Sequence, residues 1–146
     1  MDKKSISIII PNYNGTQLLK QYLPFTIAAI EAEGVTYEII VVDDASTDDS
    51  VVFLQAEYPN IKVIINPINS GFSYTCNRGI EAAACELILL LNSDVKLTPD
   101  YFSSQWKYFA SPDTFGVMGR IIDMDGDGIQ DVLDARREEA FGLLQC

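Results

Sequence analysis

The sequence predicts an α/β protein: one domain over residues 1–146, built on a Rossmann-like, mostly parallel sheet with helices on both faces. Three observations predict it. Continuous apolar runs rich in β-branched residues recur along the chain, as expected of strands buried on both sides. Between them lie stretches bounded by helix start and stop signals, so strands and helices alternate. Finally, the first four strand runs end in "PNYN", "DDAS", "NPINSG" and "NSD". A parallel sheet gathers such ends on one edge, at the carboxyl ends of its strands, where open α/β sheets bind ligands.

Taken in order, "SISIII" (Ser5 to Ile10) is a strand ended by Pro11, and "NYNG" is a turn. "TQLLKQYLPFTIAAIEAEG" reads as a helix with Thr16 as N-cap and Gly34 as stop. Pro24 inside it predicts a kink there, or a later start. "YEIIVVDD" (Tyr37 to Asp44) is the second strand. The helix after it carries a capping signal, Ser46 three residues before Asp49. "IKVIIN" is the third strand, "NSGFSYTCNRGIEAAA" a turn into a small-residue helix, and "ELILLLN" the fourth strand. "TPDYFSSQWKYFA" has the cleanest helix start in the chain: Thr98 as N-cap, Pro99 in the first helical position and Asp100 in the first turn. "TFGVMGRII" is a fifth strand, and the tail from Asp123 to Cys146 is acidic and then helix-like.

Composition narrows the chemistry. The formal net charge is -11 and there is no histidine. An acidic surface repels nucleic acid and anionic lipid, so nucleic acid is not expected as a partner. Without histidine there is no Ser-His-Asp triad, Cys-His pair or histidine-bound zinc within these residues. Carboxylates, amides and backbone groups are left to act, and an anionic substrate would need a divalent cation between itself and an acidic protein. Cys76, Cys85 and Cys146 have no metal-like spacing and read as reduced thiols. No run approaches the roughly 20 apolar residues of a membrane span, and "MDKKSISIII" lacks the features of a signal peptide. A cytoplasmic location is therefore expected.

Each polar cluster has a plain reading and a functional one. Asp43 and Asp44 are either a solvated turn and helix cap or a pair of acceptors for a base or ribose. Asp94 is either a turn residue or a ligand for Mg²⁺ or Mn²⁺, hard ions that take carboxylate oxygens and keep phosphate oxygens and water as other ligands. Asn92 would orient that carboxylate or meet ribose, and Ser93 is small enough to admit a diphosphate. Asn69, Gly71, Asn77, Arg78 and Gly79 surround the third turn and its helix. Gly71 suits a positive φ or a close approach. Arg78 is either a base or phosphate contact or a surface ion pair with Glu81 or a neighbour. Asp123 to Asp134 matches an EF-hand loop in its acidic positions and Gly128. Gln130, Asp134 in place of Glu, and the strand-like "FGVMGRII" before it favour an acidic turn instead.

With these clusters in place, the chain resembles the family-two glycosyltransferases, inverting nucleotide-sugar enzymes of the GT-A fold. The resemblance runs from Ser7 to about Gln130. It rests on "SIIIPNYNG", "EIIVVDDASTDDS", "NPINSGFSYTCNRGIEAA", "LILLLNSDV" and "GRIIDMDGDGIQ", in that order. The resemblance implies that Pro11, Asn12 and Tyr13 line a base pocket and that Asp43 and Asp44 include the carboxylate that reads base or ribose. It places Arg78 near the nucleotide and Asp94 on a Mn²⁺ or Mg²⁺ ion bridging the diphosphate of a UDP- or dTDP-sugar. It further implies direct displacement with inversion, a glycan or lipid-linked acceptor, a role in cell-surface polysaccharide synthesis, and work at the inner face of the membrane through peripheral association.

Two departures stand out. The DxD motif of the family is here Asn92-Ser93-Asp94, the form found in branches resembling rhamnosyltransferases. Family members also continue for another hundred or so residues, so the catalytic base is expected beyond Cys146 and the acceptor part is expected to be missing. That leaves a second reading, a donor-nucleotide-binding fragment or inactive homologue without turnover, and adds a homo-oligomer formed on an open sheet edge. A phospho-acceptor receiver domain would want its acidic pair after the first strand and a lysine at the fifth, where the chain has "PNYN" and Arg120. A dinucleotide dehydrogenase would want G-x-G-x-x-G after the first strand, and none is there.

Overall fold

A computed structural model describes residues 3–119 and, as backbone, the strand at 142–145. The strands are β1 (Ile6–Asn12), β2 (Tyr37–Asp43), β3 (Lys62–Ile65), β4 (Leu87–Leu90), β5 (Gly116–Met118) and β6 (Gly142–Gln145). The helices are α1 (Thr16–Glu31), α2 (Ser50–Glu57) and α3 (Phe72–Glu81). They form one six-stranded sheet in the order β3-β2-β1-β4-β6-β5. β1 to β4 are mutually parallel, and β6 runs antiparallel to both β4 and β5. The carboxyl ends of β1 to β4 therefore share one edge, as the alternation of elements predicts.

The period of two along each strand sorts the core into two layers. Ile6, Ile8 and Ile10 of β1 point to the same side as Ile39 and Val41 of β2 and Leu87 and Leu89 of β4, where they meet Leu19, Leu23 and Ile30 of α1 and Leu54 of α2. Ile9, Ile40, Val42 and Ile88 point to the other side and pack with Ile80 of α3. Helices thus cover both faces. α3 lies close because Gly79 has no side chain: a Cβ there would come 2.2 Å from Ile9 Cγ2 and 3.1 Å from Val42 Cγ2. Gly79→Val is expected to destabilise the fold by about 3 kcal/mol through overpacking. Urea unfolding checks this, and a change below about 0.5 kcal/mol would contradict docking through the bare glycine.

Several expectations need correction. α1 passes through Pro24 without a break, and Gly15, not Thr16, is its N-cap. Gly34 does stop it, with φ +63°. α2 begins at Ser50, because Ser46 turns back to donate to Asp43 instead of capping a helix. The helix expected over 98–110 is a series of turns and then a 3-10 segment, Trp106–Ala110. Its burial period survives, with Phe102, Trp106 and Phe109 in the core. Most of its bonds close between residues three apart, as from Tyr101 N to Thr98 O and from Gln105 N to Phe102 O. Aromatic and serine residues are weak helix formers, and packing holds this segment in the tighter coil. The helix-like tail contains the strand β6, placed between β4 and β5. The EF-hand-like stretch Asp123 to Asp134 and Arg120 lie outside the described residues. Among the described residues no helix is long and apolar enough to cross a membrane.

Candidate functional site

At the carboxyl edge of the sheet, β1 and β2 are in register at Asn12 and Asp43. The two neighbouring aspartates take separate tasks, since successive strand residues point to opposite faces. Asp43 is buried and accepts from Asn12 Nδ2 (2.8 Å), Ser46 Oγ (2.6 Å) and Ser46 N (2.9 Å). It ties β1 to the turn after β2. Asp44 accepts from Asn66 Nδ2 (2.7 Å), Ser70 N (2.8 Å) and Gly71 N (2.9 Å), and ties β2 to the turn after β3. Burial alone would push the Asp44 carboxyl up, but donors from Asn66, Ser70, Gly71 and Thr75 outweigh it and hold it below its ordinary value. Between Asp44 and Ser46, Ala45 sits at φ +59°, a left-handed conformation that a non-glycine residue adopts at a cost.

The starts of α1 and α2 are tied together by Asp48, which sequence reasoning missed. Its carboxylate accepts from Thr16 N (3.0 Å) and Thr16 Oγ1 (2.6 Å) on α1, and from Ser50 N (3.0 Å) and Ser50 Oγ on α2. It caps the first amide of each helix at once. Asn14, at φ +50°, braces the same loops by accepting from Thr47 N (2.8 Å) and Asp48 N (3.2 Å). Desolvation would raise the Asp48 carboxyl; the bonds from Ser50 and Thr16 overcome it and lower it from 3.8 to about 2. A depressed folded-state value means stability that is fully present above about pH 4 and is lost as pH falls through about 2. Asp48→Ala is expected to cost about 1–2 kcal/mol at neutral pH, the range of a lost helix cap. The difference between variant and wild type should close near pH 2 in acid unfolding; a difference independent of pH would contradict the capping role.

A cleft of about 720 Å³ opens on this edge. Pro11, Asn12 and Tyr13 line it from β1, Asp44 from β2, Asn69 and Gly71 from the third turn, and Asn92, Ser93 and Asp94 from the turn after β4. Gly71 has φ +87°, the positive value anticipated for it. The lining does not include Asp43, Asn77 or Arg78. Asp43 lies beneath as a brace, and Asn77 is exposed on α3. Arg78 donates Nη1 to Asn66 Oδ1 (2.8 Å) and Ile65 O (3.1 Å), so it acts on the cleft through Asn66, which holds Asp44. Leu18, Phe72, Ser73 and Thr75 complete the lining and were missed. Phe72 and Thr75 belong to the first turns of α3, where the residue pattern reads only as an amphipathic helix.

The edge combines exposed aromatic surface with a free carboxylate. Tyr13 and Phe72 are about half exposed and offer flat apolar surface. Asp94 is exposed and has no hydrogen-bond or ion-pair partner among the described residues. Among those residues no cluster of three or more His, Cys, Asp or Glu is assembled. One free carboxylate beside two small polar side chains suits Mg²⁺ or Mn²⁺ bound as such ions often are, by one or two carboxylates plus substrate phosphates and water.

Comparison with known proteins places the chain in a family. The family described as glycosyl transferase family 2 matches residues 7–142. An undecaprenyl-phosphate 4-deoxy-4-formamido-L-arabinose transferase of Pseudomonas syringae pv. syringae is 36% identical over 102 residues, which is 66% of this chain and 30% of that protein. An uncharacterized glycosyltransferase of Nostoc sp. is 31% identical over 125 residues, 84% of this chain and 38% of that one. The chain thus spans well under half the length of these curated relatives. Among solved structures, mannosyltransferase PcManGT from Pyrobaculum calidifontis, in complex with GDP-Man and Mn²⁺, superposes with a TM-score of 0.73 at 17% identity, covering 99% of this chain and 45% of that one. S. aureus TarS 1-349 in complex with UDP-GlcNAc gives 0.70 at 22% identity, covering 87% and 37%. These identities show the fold, which is GT-A. By the match along nearly all of its length, the chain belongs to glycosyl transferase family 2.

Proposed function

We propose that this chain carries the donor site of an inverting glycosyltransferase, which binds a nucleotide-diphospho-sugar in the cleft at the carboxyl edge of the sheet. The observation that supports it most is the placement of an unpartnered carboxylate, Asp94, beside Asn92 and Ser93 in one cleft with Tyr13 and Asp44. In this reading Tyr13 stacks on the base, with Phe72 forming the adjacent wall. Asp44 presents an oxygen to a base N–H while its backbone donors keep it charged. Asn92 and Ser93 leave room for the diphosphate, and Asp94 holds a divalent cation against it. When bound, that cation supplies the Lewis acid that neutralises charge on the departing diphosphate. Arg78 and Asn66 keep Asp44 in place, and the strand ends act as rigid posts that limit drift of these groups.

The nearby structures were solved with GDP-Man and Mn²⁺ and with UDP-GlcNAc, which supports a purine or pyrimidine ribonucleotide as well as dTDP among the donors to test. The relative named as an undecaprenyl-phosphate transferase supports a lipid-linked acceptor, and in this reading the acceptor belongs to cell-surface polysaccharide synthesis and is met at the inner face of the membrane. A second reading has its own support. Asp44 accepts three hydrogen bonds, Asp94 is assigned to the cation, and among the described residues the lining holds no third carboxylate to act as catalytic base. A donor-binding unit without turnover of its own matches that inventory. Melting curves with UDP, GDP and dTDP, each in Mn²⁺, test what the two readings share. A true donor nucleotide at about 100 times its Kd should stabilise the chain by about 2.7 kcal/mol. No shift with any of the three would refute both. Release of free sugar or its transfer to an acceptor extract then separates the enzyme from the binding unit.

A further inference from the structure

Asn12 is 2% exposed at the end of β1, and only one side of its amide is used. Nδ2 donates to Asp43 Oδ1 (2.8 Å) and Ser46 Oγ (3.3 Å). An ionised carboxylate can only accept, so the NH₂ group must face Asp43 and the carbonyl oxygen must point away. Asp43 is itself braced by Ser46, so this orientation is built in. The result is that Asn12 Oδ1 is buried with no donor among the described residues. Buried acceptors are rarely left that way unless a donor arrives from outside the chain.

Oδ1 faces the bare Cα of Gly15. A Cβ on Gly15 would stand 2.3 Å from it and 3.6 Å from Ser93 Oγ. The Ser93 hydroxyl also has no partner among the described residues. An idle acceptor and an idle donor therefore lie near each other beside a glycine whose lack of a side chain leaves room for Asn12 Oδ1, and both residues line the cleft. A hydroxyl group suits both, donating to one and accepting from the other. Position along the edge selects which hydroxyl. Tyr13, Phe72 and Asp44 form the base end in the proposed function, and Asp94 marks the diphosphate end. Asn12, at the end of β1, and Ser93, in the turn after the neighbouring strand β4, stand between them. In a nucleoside diphosphate the part between base and diphosphate is the ribose.

We propose that Asn12 Oδ1 is a specificity-determining acceptor for a ribose hydroxyl of the bound nucleoside diphosphate, with Ser93 Oγ donating to the same hydroxyl beside Gly15. Asp43 is the positioning residue that aims the amide. The inference rests on the donor-site reading and narrows it: if the 2′-hydroxyl is the one read, a UDP- or GDP-sugar is accepted and a dTDP-sugar is disfavoured.

The test is calorimetric titration of the chain in Mn²⁺ with UDP and GDP, followed by the 2′-deoxy and 3′-deoxy forms of whichever binds more tightly. Removal of one of the two hydroxyls is expected to weaken binding by about ten-fold or more, because it leaves a buried acceptor unpaired. In Asn12→Ala the parent and deoxy forms should bind alike. Gly15→Ala puts a Cβ 2.3 Å from Asn12 Oδ1, so the amide must shift, and it should lower the affinity of the parent nucleotide to that of the sensitive deoxy form. The deoxy series on the unaltered chain decides the matter even if a variant fails to fold. Deoxy forms that bind as tightly as the parent would overturn the proposal, a resident water then serving Asn12. A hydroxyl preference that persists in Asn12→Ala overturns it too, by assigning the hydroxyl to another residue. If dTDP binds a folded chain and neither UDP nor GDP does, this inference falls and the donor-site reading stands; if none of the three binds, the donor-site reading itself falls and takes this inference with it.

Discussion

Asp94→Ala is expected to lower the Mn²⁺-dependent affinity for a nucleoside diphosphate by about 100-fold or more, since loss of even an outer partner of a metal ligand costs about 10–100-fold in metal affinity. Fold stability should hardly change, because Asp94 is exposed and makes no hydrogen bond or ion pair among the described residues. That separation makes the variant informative. A carboxylate kept at a turn for structural reasons caps or pairs with something, as Asp43, Asp44 and Asp48 each do here. Asp94→Asn keeps the shape and removes the charge, so it should retain only a small part of the metal dependence. Titration of UDP and GDP with and without Mn²⁺ reads the first effect, and a melting curve reads the second. A variant that binds metal and nucleotide as well as wild type would remove Asp94 from the site.

The second large effect is expected at Asp44, and it should appear in stability and binding together. Asp44→Ala leaves Ser70 N and Gly71 N without the partner they have now, while Asn66 Nδ2 keeps Thr75 Oγ1 at 3.0 Å. Hydrogen bonds to a charged group are each worth about 1.5–3 kcal/mol, so a net loss of about 3 kcal/mol is expected. The turn carrying Asn69 and Gly71 would also lose its anchor, and with it one wall of the cleft. Asp44→Asn should be intermediate, because its NH₂ must face one of the donors that the carboxylate now accepts from. The carboxyl is held below its ordinary value, so this contribution is present at neutral pH and is lost on acidification below about pH 4. Urea unfolding at two pH values, with nucleotide titration beside it, checks both effects. A stable Asp44→Ala that binds normally would contradict the assignment of Asp44 to the turn and the cleft alike.

The parts of this protein that were legible in the sequence are those set by local pattern. Ile6 to Ile10, Tyr37 to Asp43 and Leu87 to Leu90 announce buried strands because both their faces are apolar, and their burial on both sides of the sheet is what the structure shows. Parallel order then forces the polar ends onto one edge, and so Tyr13, Asp44, Gly71 and Asp94 fall together. What was not legible depends on contacts between distant residues. β6 inserts between β4 and β5 although it follows both in sequence, and nothing local in "GLLQ" dictates that pairing. The separate duties of Asp43 and Asp44 follow from which face of β2 each residue leaves, and the role of Asp48 follows from the nearness of two helix starts more than thirty residues apart. Arg78 reads from the sequence as either a ligand contact or a surface ion pair, and its Nη1 bonds to Asn66 Oδ1 and Ile65 O depend on residues that only the fold brings near it.

The most direct measurement is anomalous diffraction at the manganese edge from crystals of this chain soaked with Mn²⁺ and the nucleoside diphosphate that binds best. The account predicts one strong peak in contact with an Asp94 carboxylate oxygen, at about 2.0–2.2 Å, bridged to the diphosphate, with the base against Tyr13 and near Asp44. A nucleotide bound elsewhere, or bound in this cleft with the manganese away from Asp94, would contradict it.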